Sequence, residues 1–181
     1  MANLIELTNR GGLDYLRGLV ERASDMRPVL LEIGEDMTES TKARFPAATA
    51  PDGTPWAPNS PVTLANYSAL FARGKDGALT KRSAQKLGAK KPLKGETGAL
   101  ASTINYQVQD AQSVSIGSPM VYASTHQYGA QSGEFGFGVY GTRMGSFPIP
   151  WGNIPARPFL GASEADKANI VELVTGYMMG E

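Results

Sequence analysis

The chain has one histidine, His126, and no cysteine. A metal centre needs a cluster of His, Cys or carboxylate ligands, and a serine nucleophile needs a histidine base beside it. His126 is followed by Gln127 and Tyr128, and no second histidine or cysteine completes a set. Asp110 and Glu134 stand in separate polar stretches, with nothing to pair them as acid and base. Gly136-x-Gly138-x-x-Gly141 has dinucleotide-like spacing, but no apolar strand precedes it and no helical pattern follows. These residues lead to no catalytic set, no cofactor and no metal. His126 reads as structural, hydrogen-bonding at the end of a short helix.

Charge is the other chemical resource. Basic and acidic residues balance at 17 each, but they are not evenly spread. Arg73, Lys75, Lys81, Arg82, Lys86, Lys90, Lys91 and Lys94 lie between Arg73 and Gly95, against Asp76 alone. Elsewhere the chain keeps nine basic and sixteen acidic residues, a net of minus seven. Leu79, Leu87 and Leu93 are the only large apolar groups inside this basic segment, too few to offset its ordering entropy. The segment reads as mobile in the isolated chain: a solvated loop, or an arm that orders against an acidic partner or phosphate. It lacks the interleaved aromatics of a single-strand binder and any groove-reading motif, so nucleic-acid binding rests on charge alone.

The elements that would position these groups follow from periodicity. Leu13, Leu16, Leu19, Val20 and Ala23 make an amphipathic helix ending near Met26, because Pro28 disfavours helix in the residue before it. Pro28 suits the first turn of a second helix, running to Phe45 and stopping before Pro46. Leu30, Ile33, Met37, Thr41, Arg44 and Phe45 share one of its faces. Glu32, Glu35, Asp36 and Glu39 lie mostly on the others, toward solvent or a basic neighbour. Ala47 to Pro61 is a turn-rich loop with four prolines, and Trp56 in its middle either pins the loop to the body or faces a partner. Val62 to Phe71 reads as a short helix with Leu64, Tyr67, Ala69, Leu70 and Phe71 as anchors. After the central stretch, residues 130 to 152 form a glycine-rich loop or loose hairpin. Its Phe135, Phe137, Val139 and Tyr140 serve an interface or tuck back onto the sheet, and Phe147 to Pro150 supplies an edge strand. Ser163, with Asp166 three residues on, caps a last helix whose apolar stripe is Ile170, Val171, Leu173, Val174, Tyr177 and Met178.

The central stretch is the most ordered. Ile104, Tyr106 and Val108 alternate with polar residues up to Gln109. Alternation resumes from Ser113 to Gly117 around Val114 and Ile116, which describes an antiparallel hairpin with one face on a core. Those apolar residues are expected to face Leu30, Ile33 and Met37. Met120 to Gly129 then fits a short helical turn, with Val121, Ala123 and Tyr128 in it and Gly129 closing it. The expected fold class is α+β, with long N-terminal helices and a C-terminal helix packed on a small antiparallel sheet. Residues 1–181 would form a single domain carrying the mobile segment 73–95 and the Gly/aromatic loop 130–152.

Five blocks in order carry a resemblance. They are Pro51-Asp52-Gly53-Thr54-Pro55-Trp56-Ala57-Pro58, Thr97-Gly98-x-Leu100-x-x-Thr103-Ile104, Val114-x-Ile116-Gly117, Tyr122-Ala123-x-x-His126-Gln127-x-Gly129 and Ile154-Pro155-Ala156-Arg157-Pro158-Phe159-Leu160-Gly161. Together they resemble the phage virion morphogenesis, or tail completion, family of Mu-like tailed phages. That resemblance implies a structural virion protein at the tail or at the neck joining tail to head. It also implies a homo-hexameric ring beside other neck and tail proteins, with DNA close by in the channel. It marks Trp56, Thr97, Gly98, Tyr122, His126, Gln127, Arg157 and Phe159 as motif or interface positions; Lys86, Lys90, Lys91 and Lys94 join them on charge. Arg157, fixed between Pro155 and Pro158, presents a guanidinium fork to a carboxylate or to carbonyls. Its partner lies inside the chain, holding the last helix on the sheet, or on the next subunit.

The sequence has no apolar run of membrane-spanning length, and its first residues lack the shape of a signal peptide. The expectation is a soluble protein of the host cytoplasm during assembly and of the virion afterwards. A virion component, a nucleic-acid-binding module and a virion-associated hydrolase are the function classes to separate. A head-assembly or minor capsid protein is the alternative within the first.

Overall fold

One long helix organises the molecule. The computed structural model describes residues 10–69, 77–95, 97–139, 146–150 and 152–180. Leu70, Phe71, Arg73, Lys75, Asp76, Tyr140 and Gly141 lie outside these described residues. The elements in order are α1 (Arg10–Ser24), α2 (Arg27–Ala47), α3 (Pro61–Ala69), α4 (Lys81–Gly88), α5 (Ala99–Ser102), β1 (Asn105–Val108), β2 (Val114–Gly117), α6 (Ala123–Tyr128), β3 (Phe137–Val139), β4 (Ser146–Pro148) and α7 (Glu164–Met179). The fold is α+β.

In α2, Val29, Leu30, Ile33, Gly34, Met37, Thr38, Thr41, Arg44 and Phe45 are buried, the spacing of a single helical face. Pro28 sits in its first turn, as expected. The helix does not stop before Pro46, which lies inside its last turn. Pro46 and Lys42 are both exposed, so the one hydrogen bond that the ring forfeits falls on the outer side of the helix. Ala48 ends the helix in a left-handed conformation, its N–H bonded to Arg44 O at 2.7 Å.

Strands β1 and β2 pair antiparallel with Tyr106 opposite Ile116 and Val108 opposite Val114. Asn105, Gln107 and Ser115 face solvent, while Tyr106, Val108, Val114 and Ile116 are half-buried against α2. Two strands cannot enclose a face completely, so burial there is partial; only Ile104, just before β1, is fully enclosed. One cluster unites Val29, Ile33 and Met37 with Val114, Ile116 and, from α7, Ile170, Leu173, Val174 and Tyr177. The other gathers Phe45, Trp56, Leu100, Ile104 and Phe159. Ile116 touches both. Val171, assigned to the α7 stripe by periodicity, is exposed, as are Val121 and Tyr128 around α6.

Helix α1 rests on α7 through Arg22 Nε, which donates to Met178 O at 2.9 Å, and through Tyr15 at Met179. Its Leu13 and Leu16 are each 56% exposed and Val20 is 66% exposed, so the stripe the periodicity identifies does not face the core. Composition alone leads to no element in the basic segment, yet α4 forms there. Thr80 caps it through Ser83 N, and it packs on α3. The second hairpin pairs β3 with β4, and Phe135 and Phe137 on it are exposed. Among the described residues no helix is long and apolar enough to cross a membrane.

Gly34 is where α2 lies flat on the Tyr106 ring: a Cβ there would stand 2.6 Å from Tyr106 Cγ. Gly34→Ala gains about 1 kcal/mol of helix propensity but overpacks the contact by about 1–3 kcal/mol. Urea unfolding should therefore show a net loss of stability. In a Tyr106→Ala background the same change should be neutral or stabilising, and an equal loss in both backgrounds would refute the contact.

Candidate interaction site

The segment 154–161 has no helix or strand of its own beyond an isolated bridge, Ala130 to Ile154, yet its centre is among the most enclosed parts of the molecule. Phe159 is 0% exposed and Arg157 7%. Buried backbone without regular structure must find its hydrogen bonds elsewhere, and here side chains supply most of them. Gln127 Oε1 accepts from Phe159 N and Leu160 N, each at 3.0 Å, while its Nε2 donates to Leu160 O at 3.0 Å. Trp56 Nε1 donates to Pro158 O at 2.7 Å, and Arg44 Nη1 to Phe159 O at 2.7 Å. The Arg157 backbone N–H donates to His126 O at 2.7 Å. Gly129 is required where α6 meets this segment: its φ is 80°, and a Cβ would stand 2.8 Å from Ile154 O.

Arg157 finds its partners inside the chain. Nε donates to Ala57 O at 2.7 Å and Nη2 to Pro58 O at 2.8 Å. The fork thus clamps the proline-rich loop rather than the last helix, which corrects the expected target. Trp56 is buried edge-on to Phe45, ring centroids 5.4 Å apart, and Phe45 meets Phe159 at 5.6 Å. Pinning the loop is therefore the role of the Trp56 ring.

The last helix is held by a residue pair that the sequence reading does not connect. Arg44 Nη2 donates to Asp166 Oδ2 at 2.6 Å, and the same oxygen accepts from Ser163 N at 2.7 Å. Ser163 Oγ accepts from Asp166 N, which completes the capping box expected for α7. Burial pushes the Asp166 carboxyl up, but hydrogen bonds from Ser40 and Ser163 and the Arg44 charge together outweigh it and leave its pKa lowered. Burial lowers that of Arg44, yet a guanidinium stays protonated near neutrality, so the two form an ion pair. The available signal was an arginine on the apolar face of α2, which demands a counter-charge.

Beside this knot lies a cleft of about 350 Å³ between the start of α3 with the segment after α4 and the body, lined by Asn59, Thr63, Lys90, Lys91, Lys94, Thr97, Tyr122 and His126 among others. The structural hydrogen bond of His126 is made by its backbone carbonyl, from Arg157 N, whereas the enclosed Nδ1 of its ring has no partner among the described residues and the ring stands edge-on to Tyr122 at 5.7 Å. Burial, and then the Arg157 charge, lower its pKa. Thr97 and Gly98 begin α5 at the cleft's edge, Gly98 with φ 64°. Lys86 belongs to α4 and does not line the cleft. Six of the motif positions, Trp56, Tyr122, His126, Gln127, Arg157 and Phe159, thus lie in or against the knot, whereas Lys90, Lys91 and Lys94 border the cleft. Among the described residues no group of three His, Cys, Asp or Glu side chains is placed to hold a metal ion.

Fold and site define a small α+β protein whose buried polar groups brace its own backbone. The chain belongs to the phage virion morphogenesis family, whose sequence model matches residues 9–179. Its role is structural, in morphogenesis of the phage particle. Comparison with curated proteins and with solved structures returned no match.

Arg157→Lys keeps the charge and loses the two-carbonyl fork. It should lower the stability of the isolated protein by about 2 kcal/mol in urea, the scale of a buried hydrogen bond to a charged group. An unchanged midpoint would remove Arg157 from the brace. His126 supplies a pH test. A base whose folded pKa lies below its unfolded value binds more protons when unfolded. Its contribution is therefore full above about pH 6.5 and declines as pH falls through that value toward the folded pKa. His126→Gln should flatten this part of the stability–pH curve, and an unaltered slope would contradict the enclosed, neutral imidazole.

Proposed function

We propose that this chain completes the phage tail, or the neck that joins tail to head, as a closed ring of identical subunits. The observation that carries this reading is the family match over nearly the whole chain. A cyclic assembly needs two different patches per subunit, one meeting the other around the ring. The charge distribution supplies candidates. Glu32, Glu35, Asp36 and Glu39 are exposed on α2 and Glu172 on α7, while Lys86, Lys91 and Lys94 are exposed in the basic segment. Acidic face to basic segment is the contact proposed, in a homo-hexamer matching the tail's rotational symmetry. Other neck and tail proteins would adjoin the ring, and DNA would pass through its channel. The segment 73–95 would order fully only in the assembled particle.

A phage lacking the protein should accumulate filled heads and separate tails, and the purified protein should form rings in electron micrographs. Assembly should weaken with salt, since the Debye length falls from about 10 Å at 0.1 M to about 3 Å at 1 M. A mutant that makes no heads at all would replace this role with one in head assembly. Salt-sensitive DNA binding by a protein that never forms rings would replace it with nucleic-acid binding.

A further inference from the structure

The cleft that Lys90, Lys91 and Lys94 border is built unlike a packing defect. Its ammonium groups meet no carboxylate among the described residues: Lys90 Nζ donates to Lys94 O and lies 4.6 Å from the centre of the Tyr67 ring, and Lys91 Nζ donates to Pro46 O. Neutral carbonyls and a ring face are weak counterparts for cations that a carboxylate would hold by charge-assisted bonds. On the other wall stands His126, whose enclosed Nδ1 has no hydrogen-bond partner among the described residues. Buried polar atoms in native proteins are paired in the great majority of cases, so this orphan marks a wall of the cleft whose hydrogen bonding is incomplete.

We infer that this cleft receives the carboxylates of an acidic peptide segment from a partner protein, with Lys90, Lys91 and Lys94 as the charge partners and the His126 imidazole as a hydrogen-bonding wall. The inference holds whether or not the chain forms a ring. At about 350 Å³ the space suits a few side chains of an extended segment and is far too small for a duplex. A single nucleic-acid strand would need a free ring for stacking. Tyr67 already lies beneath Lys90 and Tyr122 meets His126 edge-on, so the cleft offers no run of free rings on which successive bases could stack among the described residues. The rest of the chain, net minus seven, repels a long polyanion but leaves a short peptide free to enter.

Because His126 is the only histidine, its ring resonances need no assignment. The probe is a capped octapeptide alternating glutamate and glycine, titrated into the full chain. Saturation should shift the His126 ring signals and raise the pH at which they titrate, since a carboxylate beside the ring favours its charged form against Lys90, Lys91, Lys94 and Arg157. Lys90→Gln/Lys91→Gln/Lys94→Gln should weaken binding by about tenfold or more, some 1.4 kcal/mol, whereas Lys81→Gln/Arg82→Gln on α4 should leave it unchanged. Absence of binding would overturn the inference, as would binding with unmoved His126 signals, which needs no variant to fold. So would equal weakening by both sets of substitutions, or tighter binding of an oligothymidylate of equal charge.

Discussion

A guanidinium on the apolar face of a helix has to be answered, and the way Arg44 is answered fixes the rest of the molecule. Its cation cannot be left unpaired at 6% exposure without a heavy cost. One of its nitrogens reaches Phe159 O and another reaches Asp166, so α2, the irregular segment 154–161 and the start of α7 meet at a single side chain. Asp166 Oδ2 is shared between that cation and the Ser163 N–H. Helix initiation and tertiary docking therefore use the same oxygen. Replacing Asp166 would therefore cost α7 its reciprocal cap bond and its anchor together.

Around that joint the chain solves a second problem, how to bury backbone that is neither helix nor strand. Gln127 gives both ends of its amide to the segment, Trp56 and Arg44 bond its carbonyls, and the Arg157 fork carries the connection on to the loop at residues 57 and 58. The aromatic cluster of Trp56, Phe45 and Phe159 packs beside these bonds and lowers the local polarity around them, which strengthens each. Packing and polar bonding are interdependent here, because the rings sit where they do only while the bonds hold the loop down.

Much of this was legible in the sequence wherever a period or a short-range rule applied. The alternation around Tyr106 and Val114 gave the hairpin, Pro28 the start of α2, and Ser163 with Asp166 the capping box. What escaped depends on partners far along the chain. Nothing near Arg44 names Asp166, 122 residues away, and nothing near Gly34 announces the Tyr106 ring above it. Pro46 obeyed the rule that proline ends helices only loosely, because the bond it forfeits lies on the exposed side. Helix α4 arose where composition showed too little apolar material, through a threonine cap and a neighbouring helix. The motif residues Trp56, Gln127 and Arg157 were visible as positions, but their convergence on one strip of main chain was not.

That convergence divides responsibility unequally. Four side chains, Arg44, Trp56, Gln127 and Arg157, are bonded to main-chain atoms of Ala57, Pro58, Pro158, Phe159 and Leu160. A carbonyl oxygen is the same whichever side chain its residue carries. Ala57 and Leu160 can therefore change identity across related phages without weakening the bonds they receive, so long as the path of the chain is kept. The four bonding residues have no such latitude, since another side chain would have to match both their reach and their geometry. Drift should accumulate on the receiving side of this joint and spare the giving side.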